Sequence, residues 1–162
     1  MPEAAERARR DRVFLVVVDD SPERAVALRY ASLRASKSGG RVALLRVVEP
    51  VEQAEWAGIG ALMAQERREE AEALLAGLAA QVRDITGGLP ILITREGKTA
   101  DQLMALLAED PRISILVLAS AADSKGPGPL IQALTGRLAA KMTVPMTVVP
   151  GTMSDAELER VT

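Results

Sequence analysis

The chain has 162 residues, 48% of them apolar and 26% charged, with a formal net charge of −2; it suits one domain with a real core, and its balance speaks against a general nucleic-acid binder, which is ordinarily basic. There is no Cys and no His, so disulfides, thiol nucleophiles, the usual zinc sites and imidazole bases are excluded together. One Phe, one Trp and one Tyr leave an aliphatic core and no stacking platform for single-stranded nucleic acid.

Residues 1–12 are rich in Ala, Glu and Arg and read as a polar extension, frayed or weakly helical. Their lack of an apolar centre is not that of a signal peptide, and no apolar run reaches the length of a membrane span. The expectation is a soluble cytoplasmic protein without membrane or nucleic-acid partners.

The run Val13 to Val18 is apolar throughout and predicts a strand buried on both faces of a parallel sheet. It stops at Asp19, Asp20 and Ser21. A carboxylate there lies at the carboxyl end of the sheet, where open α/β folds place ligands. Ser21 is expected to cap a helix over 22–36 with Pro22 in its first turn; Asp20 is an alternative cap. Gly39-Gly40 ends that helix, and Val42 to Val48 is a second strand. Residues 51–60 read as irregular. Ala71, Leu74, Leu75, Leu78, Val82 and Ile85 fall at helical spacing and predict a helix over 62–85, with Glu66 to Glu72 as its solvated face. Trp56 and Met63 are expected to cover one face of the sheet, and Tyr30 to pack.

Ile91 to Thr94 is a third strand. Thr99 and Gln102 form a capping-box pattern ahead of Leu103, Leu106 and Leu107. Ile113 to Leu118 is a fourth strand, followed by the small-residue segment Ala119 to Pro129. A helix over 130–142 and a fifth strand, Val144 to Val149, complete the alternation. Strands joined by helical crossovers predict a doubly wound parallel sheet with right-handed connections. The tail 151–162 carries a Ser154–Glu157 capping pattern.

Three motifs bear on chemistry. Paired acids after a first strand also occur in phospho-accepting receiver domains, but those need an Asp ending the third strand and a Lys ending the fifth. Thr94-Arg95-Glu96 and Val149-Pro150-Gly151 supply neither. Gly97-Lys98-Thr99 imitates the end of a P-loop, yet Leu92 stands where that motif needs its first Gly; Lys98 can still sit near an anion. Gly126 and Gly128, beside Lys125, allow backbone N–H groups to approach a phosphate. A rigid turn into the next helix, with Pro129 at its start, explains them equally well.

Val16-Val17-Val18-Asp19-Asp20-Ser21, the Arg95-Glu96-Gly97 turn, Ile115-Leu116-Val117-Leu118 and Thr143 to Pro150 together resemble the universal stress protein family, over 13–150. The resemblance implies a five-stranded sheet of order 3-2-1-4-5 and a homodimer through the fifth strand, with Val144, Met146 and Val148 on the pairing edge; an uncovered edge is a template for pairing. The alternative is that the tail folds back over that edge. Nucleotide-binding members resemble this chain at Asp19, after Val17, and at Val47, which matches the residue lining the adenine side. On the fourth strand's side Leu118, Ala119, Ala122, Gly126, Gly128, Gly136 and Arg137 are the candidates for ATP or another adenine nucleotide, with Mg2+ where bound.

The family's phosphate motif is Gly, two residues, Gly, nine residues, Gly, then Ser or Thr, and this chain departs from it. Gly126 and Gly136 keep the longer gap, but Asp123 takes the first glycine's place. In the other alignment Ala119 and Ala122 replace the first two glycines. Arg137 replaces the Ser or Thr in both. A Cβ then stands where phosphate approaches, Asp123 adds repulsion, and Arg137 can compensate. Micromolar binding needs about −8 kcal/mol; one or two lost charge-assisted bonds, about 1.5–3 kcal/mol each, remove much of it. The reading is therefore a dimeric binding protein that either carries a nucleotide or serves as a protein-interaction module. An enzyme, at most a weak ATPase, would have to draw on Asp19, Asp20, Ser124, Lys125 and Arg137, which form no nucleophile–base constellation. A flavin domain would lack aromatic residues to stack on the ring.

Overall fold

The computed structural model describes residues 2–50, 57–123 and 125–162. The helices are α1 (Pro2–Arg10), α2 (Arg24–Ser38), α3 (Ala57–Thr86), α4 (Thr99–Glu109), α5 (Pro129–Thr135) and α6 (Asp155–Val161). The strands are β1 (Val13–Val17), β2 (Arg41–Val48), β3 (Ile91–Glu96), β4 (Ile113–Ser120) and β5 (Met146–Pro150). All strand pairings are parallel, in the order β3-β2-β1-β4-β5, the order the resemblance implies.

Strand periodicity sorts the core into two layers. Phe14, Val16, Val42, Leu44 and Val117 face one side, where they meet Leu28 and Leu33 of α2, Leu75 and Val82 of α3 and Leu158 of α6. Val13, Leu15, Val17, Leu45, Val47, Leu116 and Leu118 face the other, against Leu103, Leu106 and Leu107 of α4 and Ile131 and Leu134 of α5. β1, paired on both edges, sits at the centre. Val17, Val47 and Leu118 thus share the α4/α5 face at the carboxyl end of the sheet.

Several boundaries differ from expectation, for physical reasons. α2 begins at Arg24 after Glu23, with no side-chain cap, because Ser21 bonds back to Asp19 instead and Asp20 pairs with Arg46. α3 starts at Ala57, so the irregular stretch expected to Gly60 is helical from that point, while 51–56, including Trp56, lie outside the described residues. Met63 does not cover the sheet: it is exposed, as are Ile59 at 56% and Leu62 at 57%. The Thr99–Gln102 capping box is not formed; the Glu49 carboxylate takes Thr99 instead.

The helix expected over 130–142 breaks at Gly136, whose backbone departs from helical geometry at φ −101° and ψ −108°; a Cβ there would lie 2.8 Å from the Gln132 carbonyl oxygen, so the break suits glycine alone. A short 3-10 turn, Ala139–Lys141, follows. β5 begins at Met146 rather than Val144, which packs against the α4/α5-side core. The tail does form its cap, Ser154 Oγ accepting from Glu157 N at 3.2 Å. α6 folds onto α2, where the Lys37 ammonium donates to the Glu159 and Thr162 oxygens. Among the described residues no helix is long and apolar enough to cross a membrane.

Candidate ligand-binding cleft

β1 ends at Val17, and Val18 is still held to the sheet by its N–H to the Leu45 carbonyl at 2.7 Å. Asp19 is the first residue to leave. Its Oδ1 accepts from Ser21 N at 2.9 Å and Ser21 Oγ at 2.6 Å, a local turn that fixes the carboxylate against its own backbone. Its Oδ2 makes no hydrogen bond among the described residues and is available to a ligand. Arg24 Nη1 donates to the Asp19 carbonyl at 2.8 Å, bringing a guanidinium alongside.

Asp19 and Arg24 open on a cavity of about 470 Å³, within the usual range of small-molecule sites of about 300–1,000 Å³. Val17, Leu118 and Ala119 supply its sheet-side wall, Leu130, Ile131 and Ala133 of α5 the opposite wall, and Lys98, just before α4, with Thr99 and Ala100 of α4 its side. Arg137 reaches it from beyond α5. Among the described residues neither Lys98 nor Arg137 carries a side-chain partner, so two cations remain free beside an aliphatic wall. Glu49 also lines the cavity, its Oε1 3.2 Å from Thr99 Oγ1 and 3.4 Å from Thr99 N. The first turn of α4 is thereby already served by a carboxylate of the same chain.

An adjoining cavity of about 650 Å³ shares Asp19, Arg24, Glu49 and Thr99, and continues over Val47, Asp20, Arg46 and Arg67. It is the polar compartment of the same cleft. Asp20 there is committed to Arg46 at 2.9 Å, and Arg46 also donates to the Val18 carbonyl at 3.1 Å.

The sequence candidates therefore divide. Val17, Asp19, Leu118, Ala119, Gly128 and Arg137 come together on the aliphatic compartment, and Val47 lies on the polar one. Ala122, Gly126 and Gly136 line neither; Gly136 ends α5. On the fifth strand, Met146 is half-buried and Val148 is 40% exposed. Ser124 lies outside the described residues. Sequence reasoning missed Arg24 and Glu49 as cleft residues. Their only signal was charge directly after a buried strand or at a helix start.

The connection from β4 to α5 closes on itself: Ala121 N donates to the Pro127 carbonyl at 3.2 Å. Gly126 and Gly128 both hold positive φ, 99° and 109°, a conformation that side chains strain to adopt. Two acids then take the loop's donors. Lys125 N donates to Asp123 Oδ1 and Ala122 N to Glu23 Oε1, both at 3.0 Å. The Ala122 bond holds the Glu23 carboxyl below the usual glutamate range. Among the described residues of this loop, beyond Ala119, only Pro127 and Gly128 reach the cavity.

The sequence matches the family model described as the universal stress protein family over residues 12–150. No curated protein is similar enough to match. Among solved structures, the fold is similar to that of universal stress protein UspA from Lactobacillus plantarum, at 16% identity, TM-score 0.67, with 85% of this chain and 97% of that one covered. A universal stress family protein from Burkholderia pseudomallei aligns at 18% identity and TM-score 0.65, covering 87% and 97%. A universal stress protein in complex with cAMP aligns at 16% identity and TM-score 0.59, covering 87% and 98%. With the family model spanning nearly all of the sheet and its crossovers, the chain belongs to the universal stress protein family.

Proposed function

We propose that this protein acts by binding, as a homodimer, and that its ligand is an adenine nucleotide held at the carboxyl ends of β1 and β4. One observation carries the reading. A fixed carboxylate, Asp19, shares a cavity of about 470 Å³ with an aliphatic wall and the cations of Arg24, Lys98 and Arg137. An aliphatic slot suits a purine, a carboxylate oxygen without a partner suits ribose hydroxyls, and unpaired cations suit phosphate. The cAMP complex of a structural neighbour adds support by analogy of fold. Among the described residues no three acids come together as metal ligands, so a magnesium ion would arrive on the nucleotide's phosphates.

Isothermal titration with adenosine, AMP, cAMP and Mg-ATP tests this, with mass spectrometry of what co-purifies. Saturable heat with any of them, lost in Asp19→Ala, supports the nucleotide reading. Absence of heat and of bound nucleotide sinks it. The second reading, an interaction module without a nucleotide, is favoured by Glu23 and Asp123, which take donors that the phosphate motif would offer. Turnover is outside the proposal: ATP hydrolysis is expected at background, unchanged in Asp19→Ala.

A further inference from the structure

We infer that Glu23 is a specificity-determining residue of this cleft, holding the outer part of the β4–α5 loop away from the ligand so that nucleosides and nucleoside monophosphates are taken in preference to triphosphates. The inference rests on the nucleotide reading above and deepens it.

Glu23 stands where three segments meet: the start of α2, the exit of β4 and the exit of β5. Its Oε1 accepts from Ala122 N at 3.0 Å. Its Cγ lies 2.5 Å from where a Cβ on Gly151 would be, and the Ser120 carbonyl oxygen crowds the same point. Only a glycine at 151 leaves room for the glutamate to reach the loop, so the contact is built into the junction.

The consequence is geometric. Ala122 is tied to Glu23 at the start of α2, and Ala121, Ala122, Asp123, Lys125 and Gly126 do not line the cavity. A phosphate chain extending from the cleft along this loop would meet the Glu23 and Asp123 carboxylates on the very N–H groups of Ala122 and Lys125. Like charge repels, and an occupied donor cannot be shared without displacing its carboxylate. A single phosphate has no such need, because Lys98 and Arg137 reach the cavity from the α4 and α5 sides.

The test compares affinities for adenosine, AMP and Mg-ATP in the full chain and in Glu23→Gln and Glu23→Ala. Glu23→Gln keeps the shape and removes the charge; Glu23→Ala also frees the Ala122 N–H. The wild type is expected to bind AMP about tenfold or more tighter than ATP, a difference of about 1.4 kcal/mol per decade. Both variants are expected to strengthen ATP by about tenfold while AMP stays within about twofold. A purely structural role would weaken both ligands alike and leave their ratio unmoved, and that result overturns the inference. Equal or tighter ATP binding by the wild type overturns it too, with the nucleotide reading intact. If neither adenosine, AMP nor ATP binds any of the three folded proteins, the nucleotide reading itself has failed. ATP binding gained only in the variants supports the role of Glu23.

Discussion

Asp19 and Glu23 sit four positions apart and use their carboxylates in opposite ways. Asp19 spends one oxygen on Ser21 and keeps the other open to the cleft, whereas Glu23 commits its charge to a backbone N–H of a distant loop. Asp19→Ala should therefore cost ligand binding more than folding. The loss of one charge-assisted contact is worth about 1.5–3 kcal/mol, or about ten- to a hundredfold in affinity by titration, while the melting temperature hardly moves because the residue is exposed. For Glu23 the sign follows from its lowered folded pKa. Its contribution is fully present above the unfolded glutamate value of about 4.3 and is lost as pH falls through the lower folded value. Protection of the Ala122 amide, read by hydrogen exchange, should hold from neutral pH down into the ordinary glutamate range and be lost only on acidification below it. Gly151→Ala should destabilise at any pH, by about 1–3 kcal/mol as over-packing does, seen as a lower urea midpoint.

At the scale of elements, the short ones depend on specific contacts and the long ones on periodicity. α6 has seven residues, too few to persist alone, and is kept by the Ser154 cap and the fully buried Leu158. Leu158→Ala should cost about 2–5 kcal/mol as a buried leucine does, and Ser154→Ala about 1 kcal/mol as a lost cap, both measurable by chemical denaturation. α3 shows the reverse. From its middle onward it buries Ala71, Leu75, Leu78 and Val82, while its first turns stand in solvent with Ile59 and Leu62 exposed. Leu62→Lys should change stability by no more than about 0.5 kcal/mol.

For the whole molecule, the open question is the edge of the sheet. β5 pairs with β4 on one side only, and Val148 keeps 40% of its surface exposed, while α6 has gone to α2. An edge of this kind invites a second strand. In the proposed dimer, Val148→Lys should shift the wild-type dimer mass toward the monomer in light scattering without changing the circular dichroism. An unchanged dimer mass would move the interface elsewhere.

Much of this fold was legible because its strands are buried on both faces. Val13 to Val18 is apolar throughout, and Val42 to Val48 and Ile113 to Leu118 are broken only by Arg46 and Ser114, a near-continuous pattern that suits a helix-covered parallel sheet rather than a half-solvated one. Asp19 was legible for the same reason, being the first charge after the central strand. Local chemistry misled where another group, near or distant, competed for the same donor or acceptor. Ser21 turned to Asp19 rather than to the α2 N-terminus, and Glu49 displaced the Thr99–Gln102 box from fifty residues away. The helix after the glycine segment broke at Gly136, whose backbone leaves the helical region at φ −101° and ψ −108°, a freedom glycine has that the apolar pattern does not register. By itself the sequence determined the layers, the strand order through its family resemblance and the carboxylate at the sheet's end, because burial and periodicity act within one element. Only the tertiary structure decided which loop groups line the cleft and which are pinned by Glu23, because a hydrogen bond between residues 99 positions apart leaves no local trace in either segment.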